Sequence, residues 1–321
     1  MATKNTAQRQ SHESLCSTLP PEIWINIFSY HTDLAHLWLT CRRVSPTLRA
    51  CAEHAFGENF LQDVRIDFQL EKYNLGGKSQ RPEINVVFDR VGKGREKEIA
   101  WYRCTQEPSL KGRGPGKKAQ AHHDKMMSRW EENVKAYKPE MPNYTISIGD
   151  LVNDTELPDL KIDIDKREVC FRWKEMLSLF FRERCRLLFL KTIWQVETSK
   201  KMEENNARLK KGEKLMPSDY PCSWSSAKDE MRKEIRRWRL KESYHDDEQM
   251  VWALGSLKYF ENYGGSANGS SKALRLNPDL PGAGLGEQWF GSTNLVQELY
   301  LDEWSCMHRI DTKIDHIRSG E

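Results

Sequence analysis

The chain has 321 residues, 38% hydrophobic, 10% aromatic and 30% charged, with eleven tryptophans and eleven phenylalanines, which excludes a wholly disordered chain and leaves room for a small domain followed by a larger one. A net charge of +3 singles out no partner on electrostatic grounds, and a mean hydropathy of −0.76 calls for polar loops or charged, exposed helices over much of the length. No apolar run of 18 residues is present, and the eight cysteines form no C-x-x-C pair, so the expectation is a reduced cytoplasmic or nuclear protein without a membrane span, disulfide framework or zinc site.

Residues 1–14 are polar and lack the apolar segment of a secretion signal, and they read as a disordered lead. Helical signals follow. Pro20 and Pro21 suit a helix start, where a missing N–H costs nothing, and Ile23, Trp24, Ile27 and Phe28 recur at helical spacing. Asp33 is a good N-cap for a second stripe of Leu34, Leu37, Trp38, Cys41 and Val44. Ser45-Pro46 starts a third, carrying Leu48, Ala52, Ala55 and Phe56 and reaching Phe60-Leu61. Three helices this short cannot bury every apolar face by themselves.

At Val64 the period switches to two. Val64, Ile66, Phe68 and Leu70 alternate with Arg65, Asp67 and Gln69, the pattern of a half-buried strand. Ile84, Val86 and Phe88 follow, then Ile99 and Trp101, then Tyr144, Ile146 and Ile148, then Leu160, Ile162 and Ile164. Val169, Phe171 and Trp173 close the series after Asp165-Lys166-Arg167-Glu168, read as a hairpin turn. Up to six strands over about 62–173 with no helices between them predict an antiparallel sheet. The polar stretch 103–142 reads as an insertion. From Arg90 to Trp130 the chain carries eleven Lys/Arg against four Asp/Glu, a surplus of seven, and Lys111, Arg113, Lys117 and Lys118 form a basic patch. A solvated loop, a localisation signal or contact with an acidic partner accounts for it better than nucleic-acid binding does, and it lacks the spacing and hydroxyl of a phosphate-cradling loop.

Helices are expected over about 174–317. Met176, Leu177, Phe180, Leu187, Leu188 and Trp194 make a broad apolar helix packed on the sheet, and Lys200 to Lys214 is charged and exposed. Met231, Ile235 and Trp238 form the thin stripe of a highly charged helix, Met250, Leu254 and Leu257 that of another. A Gly/Ser/Pro-rich loop runs to about Gly291, and the final helix shows Trp304, Met307, Ile310, Ile314 and Ile317. Glu175 and Glu183 read as helix-surface charge pairs. The adjacent His122-His123-Asp124 point in different directions on any regular element and read as exposed residues rather than metal ligands.

The strongest local signal is at the front. Leu19-Pro20-Pro21-Glu22-Ile23-Trp24, then Ile27-Phe28-Ser29-Tyr30, Asp33-Leu34 and Leu37-Trp38-Leu39-Thr40-Cys41-Arg42-Arg43-Val44-Ser45 resemble the F-box in a form common in fungal proteins. The resemblance covers about 45 of the 321 residues. His31 stands where that family usually has leucine, the link between the first two helices is short, and Val44 replaces an aromatic often found after the paired arginines. The resemblance implies a three-helix module at 15–61 that binds the Skp adaptor of an SCF cullin-RING ubiquitin ligase, with Leu19, Pro20, Ile23, Ile27, Phe28, Leu34, Leu37, Leu39 and Val44 as adaptor contacts or their immediate support. The expected architecture is α+β: a three-helix F-box, then an α+β region over 62–321 that holds an unidentified protein substrate. The expected role is a non-catalytic receptor without cofactor, metal or membrane association. The other reading is a basic module for nucleic acid or an acidic partner, with a non-functional F-box.

Overall fold

The computed structural model describes residues 19–70, 83–105, 117–263 and 290–320. The expected lead at 1–14, the start of the 15–61 module and most of the Gly/Ser/Pro-rich loop lie outside the described residues. The chain divides into two compact units, Met1–Asp63 and Val64–Glu321. Among the described residues no helix is long and apolar enough to cross a membrane.

The first unit is helical. Helix α1 spans Pro21–Ser29, with Pro21 at its first position. Helix α2, Leu34–His36, runs through a π-helical turn at Leu37–Cys41 into α3, Arg42–Val44. Helix α4 spans Pro46–Ala55 and continues through a second π turn, Phe56–Phe60. Ser45 caps α4 by accepting from Leu48 N–H at 3.1 Å, and Asp33 caps α2 by accepting from His36 N–H at 3.0 Å. The core is Phe28, Leu37, Trp38, Leu48, Ala52 and Phe56, all buried, with the Trp38 and Phe56 rings edge to face at 4.7 Å.

The second unit is α+β, as expected. Among the described residues its strands are β1 Val64–Gln69, β2 Glu83–Val91, β3 Ile99–Cys104, β4 Tyr144–Ile148, β5 Leu151–Asn153, β6 Lys161–Asp163 and β7 Glu168–Arg172. All neighbouring pairs are antiparallel, in the order β5-β4-β1-β2-β3-β7-β6. The two outermost strands are three residues long. Strand β5 was missed because three residues are too few to show alternation. Glu168, read as part of a turn, instead opens β7, where Arg90 and Arg103 grip its buried carboxylate (Arg90 Nη2–Oε2 3.0 Å, Arg103 Nε–Oε1 3.1 Å) and Arg90 draws its pKa down. Trp173 opens a helix rather than closing a strand.

Two further expectations are corrected. The stretch 103–142 is not wholly an insertion: β3 ends within it, and helix α5, Lys117–Lys135, occupies much of the rest. Met127, Trp130 and Val134 on α5 are buried, with the Trp130 ring 5.6 Å from Phe68. Strand β1 is not half-buried either, since Asp67 and Gln69 are 2% and 4% exposed. Helix α9, Phe290–Ser319, covers that face and supplies the counter-charges: Lys313 Nζ lies 2.6 Å from Asp67 Oδ2, and Arg309 Nη1 donates to Gln69 Oε1 at 2.9 Å. Since residues alternate across a strand, α5 lies on the Phe68 face and α9 on the opposite one.

The other long helices among the described residues are α6 Trp173–Lys210, α7 Trp224–Ser243 and α8 Glu248–Tyr263. Helix α6 is anchored by Trp173, Met176, Leu177, Phe180 and Phe181. Beyond them Leu188, Phe189, Ile193 and Val196 are exposed, while the Trp194 ring lies 5.1 Å from Trp224 of α7 and buried Asn205 donates to the Asp219 carbonyl at 2.8 Å. On α9 Met307 and Ile310 are buried as expected, whereas Trp304 is half exposed and stacks on His308. Helices α8 and α9 share a core of Trp252, Leu254, Leu257, Val296 and Leu299.

Candidate functional site

The helical unit sorts its apolar side chains into two sets. Phe28 and Leu37 are buried at 4% and 0% exposure, and Leu34 and Leu39 are intermediate. Leu19, Ile23, Ile27 and Val44 are 40%, 45%, 45% and 62% exposed, and Pro20 is exposed with them. Of the nine residues expected to contact or support a partner, five thus face solvent and Phe28 and Leu37 form the support beneath.

The cause is the arc each face covers. Ile23 and Ile27 are four apart and share a face of α1. Phe28, one step further round, points inward, where its ring lies 5.8 Å from Trp24. Tyr30, at the C-cap of α1 and 83% exposed, was not among the expected contacts. Its spacing of seven from Ile23 is the signal that finds it. An exposed row of aliphatic and aromatic side chains on so small a unit marks an interaction surface.

The turn between α1 and α2 is closed by its own polar groups. His31 Nδ1 accepts from Asp33 N–H at 3.1 Å, and the His31 ring stacks on His36 at 5.8 Å. This histidine, where leucine is usual in the resembled family, thus holds the short link. Arg42 lies over the Trp38 ring at 4.3 Å and pairs with Glu53 at 2.7 Å, fixing α3 against α4. Burial pushes the Cys41 and Cys51 thiols above their usual range, so neither is a ready nucleophile.

The basic patch is divided. Lys111 and Arg113 lie outside the described residues, and Lys117 and Lys118 open α5. His122, His123 and Asp124 also fall on α5. Among the described residues no group of three His, Cys, Asp or Glu could hold a metal ion.

The larger unit holds a charge cluster that sequence periodicity did not reveal. Helix α7 turns Arg236 and Arg237 inward, while Trp238, expected in its apolar stripe, is 44% exposed. Arg236 Nε donates to Asp154 Oδ2 at 3.3 Å, Arg239 Nη2 to Asp154 Oδ1 at 2.7 Å, and Arg239 Nη1 to Glu183 Oε1 at 2.7 Å. Arg237 Nε donates to Glu303 Oε2 at 2.8 Å. Burial raises the Asp154 pKa, but Arg239 and Arg236 outweigh it and hold the carboxyl well below its usual range. At Glu183 burial wins over Arg239 and the pKa is raised. The expected surface pair at Glu175 is an exposed contact with Arg172 at 2.9 Å, but Glu183 belongs to this interior cluster. A charged helix reads as solvated from sequence because nothing local shows that its counter-ions lie 56 to 85 residues away.

Comparison with family models, curated proteins and solved structures gave no match.

Proposed function

We propose that the chain is a non-catalytic substrate receptor of an SCF-type ubiquitin ligase. The helical unit docks the Skp adaptor through Leu19, Pro20, Ile23, Ile27 and Val44, with Tyr30 beside them. The observation that carries this reading is the outward face of α1, where Ile23 and Ile27 stand exposed while Phe28 and Leu37 are buried. Covering an aliphatic side chain fully contributes about 1.5–3 kcal/mol, so half-covered residues in this number suffice to anchor a partner. The Val64–Glu321 unit then holds a protein substrate near a charged ubiquitin-conjugating enzyme. The gain is in effective concentration, and the receptor itself makes and breaks no bond.

The test is co-elution with a Skp adaptor on size exclusion, comparing the wild-type chain with an Ile23→Asp, Ile27→Asp double variant. Both side chains are exposed, so the variant keeps the wild-type stability to within the roughly ±0.5 kcal/mol usual for surface changes. Loss of co-elution in the variant alone is the expected result, and equal co-elution of both proteins refutes the assignment.

The surplus of seven positive charges between Arg90 and Trp130 supports the second reading, a basic module for nucleic acid or an acidic partner. It predicts retention on a polyanionic resin that falls steeply with salt. Because α5 starts at Lys117, changing Lys111, Arg113, Lys117 and Lys118 to glutamine tests it more cleanly than a deletion, which would cut into that helix. Retention unchanged in the fourfold variant removes this reading.

A further inference from the structure

The Val64–Glu321 unit contains a cavity of about 160 Å³ between β5, α6, α7 and α9. One part of its wall is apolar: Phe180, Leu187, Ile235, Met307, Ile310 and Ile314. A dry cavity of about 150 Å³ accommodates a benzene-sized group. The other part of the wall is cationic, with Arg184 from α6, Lys228 and Arg232 from α7 and Arg318 near the end of α9.

What distinguishes three of these cations is that no ion pair holds them. Asp154 and Glu183 also reach the cavity, but Arg236 and Arg239 already neutralise them. Arg184, Lys228 and Arg318 make no ion pair or hydrogen bond among the described residues. Asp150, the remaining carboxylate of the wall, is likewise unpaired. Arg232 is held through Nη1, 2.6 Å from Asp311 and 3.5 Å from Asp229, while its Nη2 is buried without a hydrogen-bond partner. Three unpaired cations and one unpaired carboxylate thus line the cavity beside an orphaned guanidinium N–H, with Asp229 and Asp311 engaged by Arg232. At Lys228 burial, then Arg232 and Arg318, lower the pKa, outweighing the opposite pull of Asp229 and Asp311. Converging like charges in a partly buried cavity are unfavourable unless an anion offsets them. A phosphate monoester carries about −1.5 to −2 near neutral pH, with three acceptor oxygens, enough to meet several of these donors at once where a carboxylate offers two oxygens.

We propose that this cavity binds a phosphate monoester carrying an apolar group about the size of one side chain, with the phosphate facing Arg184, Lys228, Arg232 Nη2 and Arg318 and the apolar part facing Phe180 and Ile310. Every residue involved belongs to the Val64–Glu321 unit, so the inference stands apart from the adaptor reading. The same chemistry is available from a phosphorylated aromatic side chain of a protein or from a free aryl phosphate.

Calorimetric titration of the full chain tests the site, with phenyl phosphate as probe and phenol, benzoate and inorganic phosphate beside it. Saturable binding of phenyl phosphate is expected. Benzoate and inorganic phosphate should bind at least about tenfold more weakly, since one lacks the second charge and the other the apolar group, and phenol should bind weakest. Arg318→Gln and Lys228→Gln should each weaken phenyl phosphate by about tenfold, the equivalent of one charge-assisted contact. Arg318 is exposed, so its variant keeps the fold, and a matching far-UV spectrum verifies this for both. No binding at millimolar phenyl phosphate, binding unchanged in both variants, or benzoate binding as tightly as phenyl phosphate overturns the proposal. A neutral peptide carrying phosphotyrosine separates the sources. If it binds more tightly than phenyl phosphate, the ligand is a protein; if it is excluded while phenyl phosphate binds, the ligand is a free phosphate ester.

Discussion

At the scale of single residues, neighbours in sequence take opposite roles. Leu37 has no exposed surface and sits in the core of the helical unit. Leu37→Ala is expected to destabilise that unit by about 2–5 kcal/mol, visible as a lower denaturation midpoint, and adaptor binding would fall because the unit loosens. The exposed Ile23 and Ile27 lack that structural role, so their substitution separates docking from folding. The interior carboxylate Asp154 yields a pH prediction. Its folded-state pKa is depressed below the ordinary 3.8, so its stabilising effect is complete above about pH 4 and is lost as the pH falls through the depressed value. Asp154→Asn leaves Arg236 and Arg239 with a neutral partner and should cost about 3–5 kcal/mol at pH 7. The gap to wild type should narrow as the pH drops below 4. Urea melts at pH 7, 5 and 3 measure this, and a gap independent of pH would contradict it.

At the scale of elements, alternation and helical spacing located most strands and helices, because those periods are imposed by the local backbone. They misjudged faces wherever a distant element supplied the cover. Asp67 and Gln69 look solvent-facing until Lys313 and Arg309, more than 200 residues on, lie over them. The inward charges of α7 were hidden in the same way. The face of α1 was legible because a short helix covered on one side sorts its own residues. Helix α5 was obscured by the basic run before it, although Met127, Trp130 and Val134 are spaced by three and four. Trp130→Ala should cost about 3–5 kcal/mol and lower the thermal midpoint, a response that a solvated loop would not give.

At the scale of the whole molecule, the chain divides into two compact units. Amide hydrogen exchange should therefore report them separately. Leu37→Ala is expected to speed exchange in the α1 to α4 helices and leave β1 and β4 protected. Asp154→Asn should do the reverse, and a variant that loosened both units equally would argue for one cooperative block. The seven-stranded sheet carries a consequence of a different kind. It ends on β5 and β6, each of three residues, so a foreign strand laid along either border would find two or three backbone partners at most. Such borders template neither self-association into ribbons nor capture of an extended peptide by strand addition. Concentrated solutions of the protein should therefore resist cross-β aggregation through the borders of this sheet.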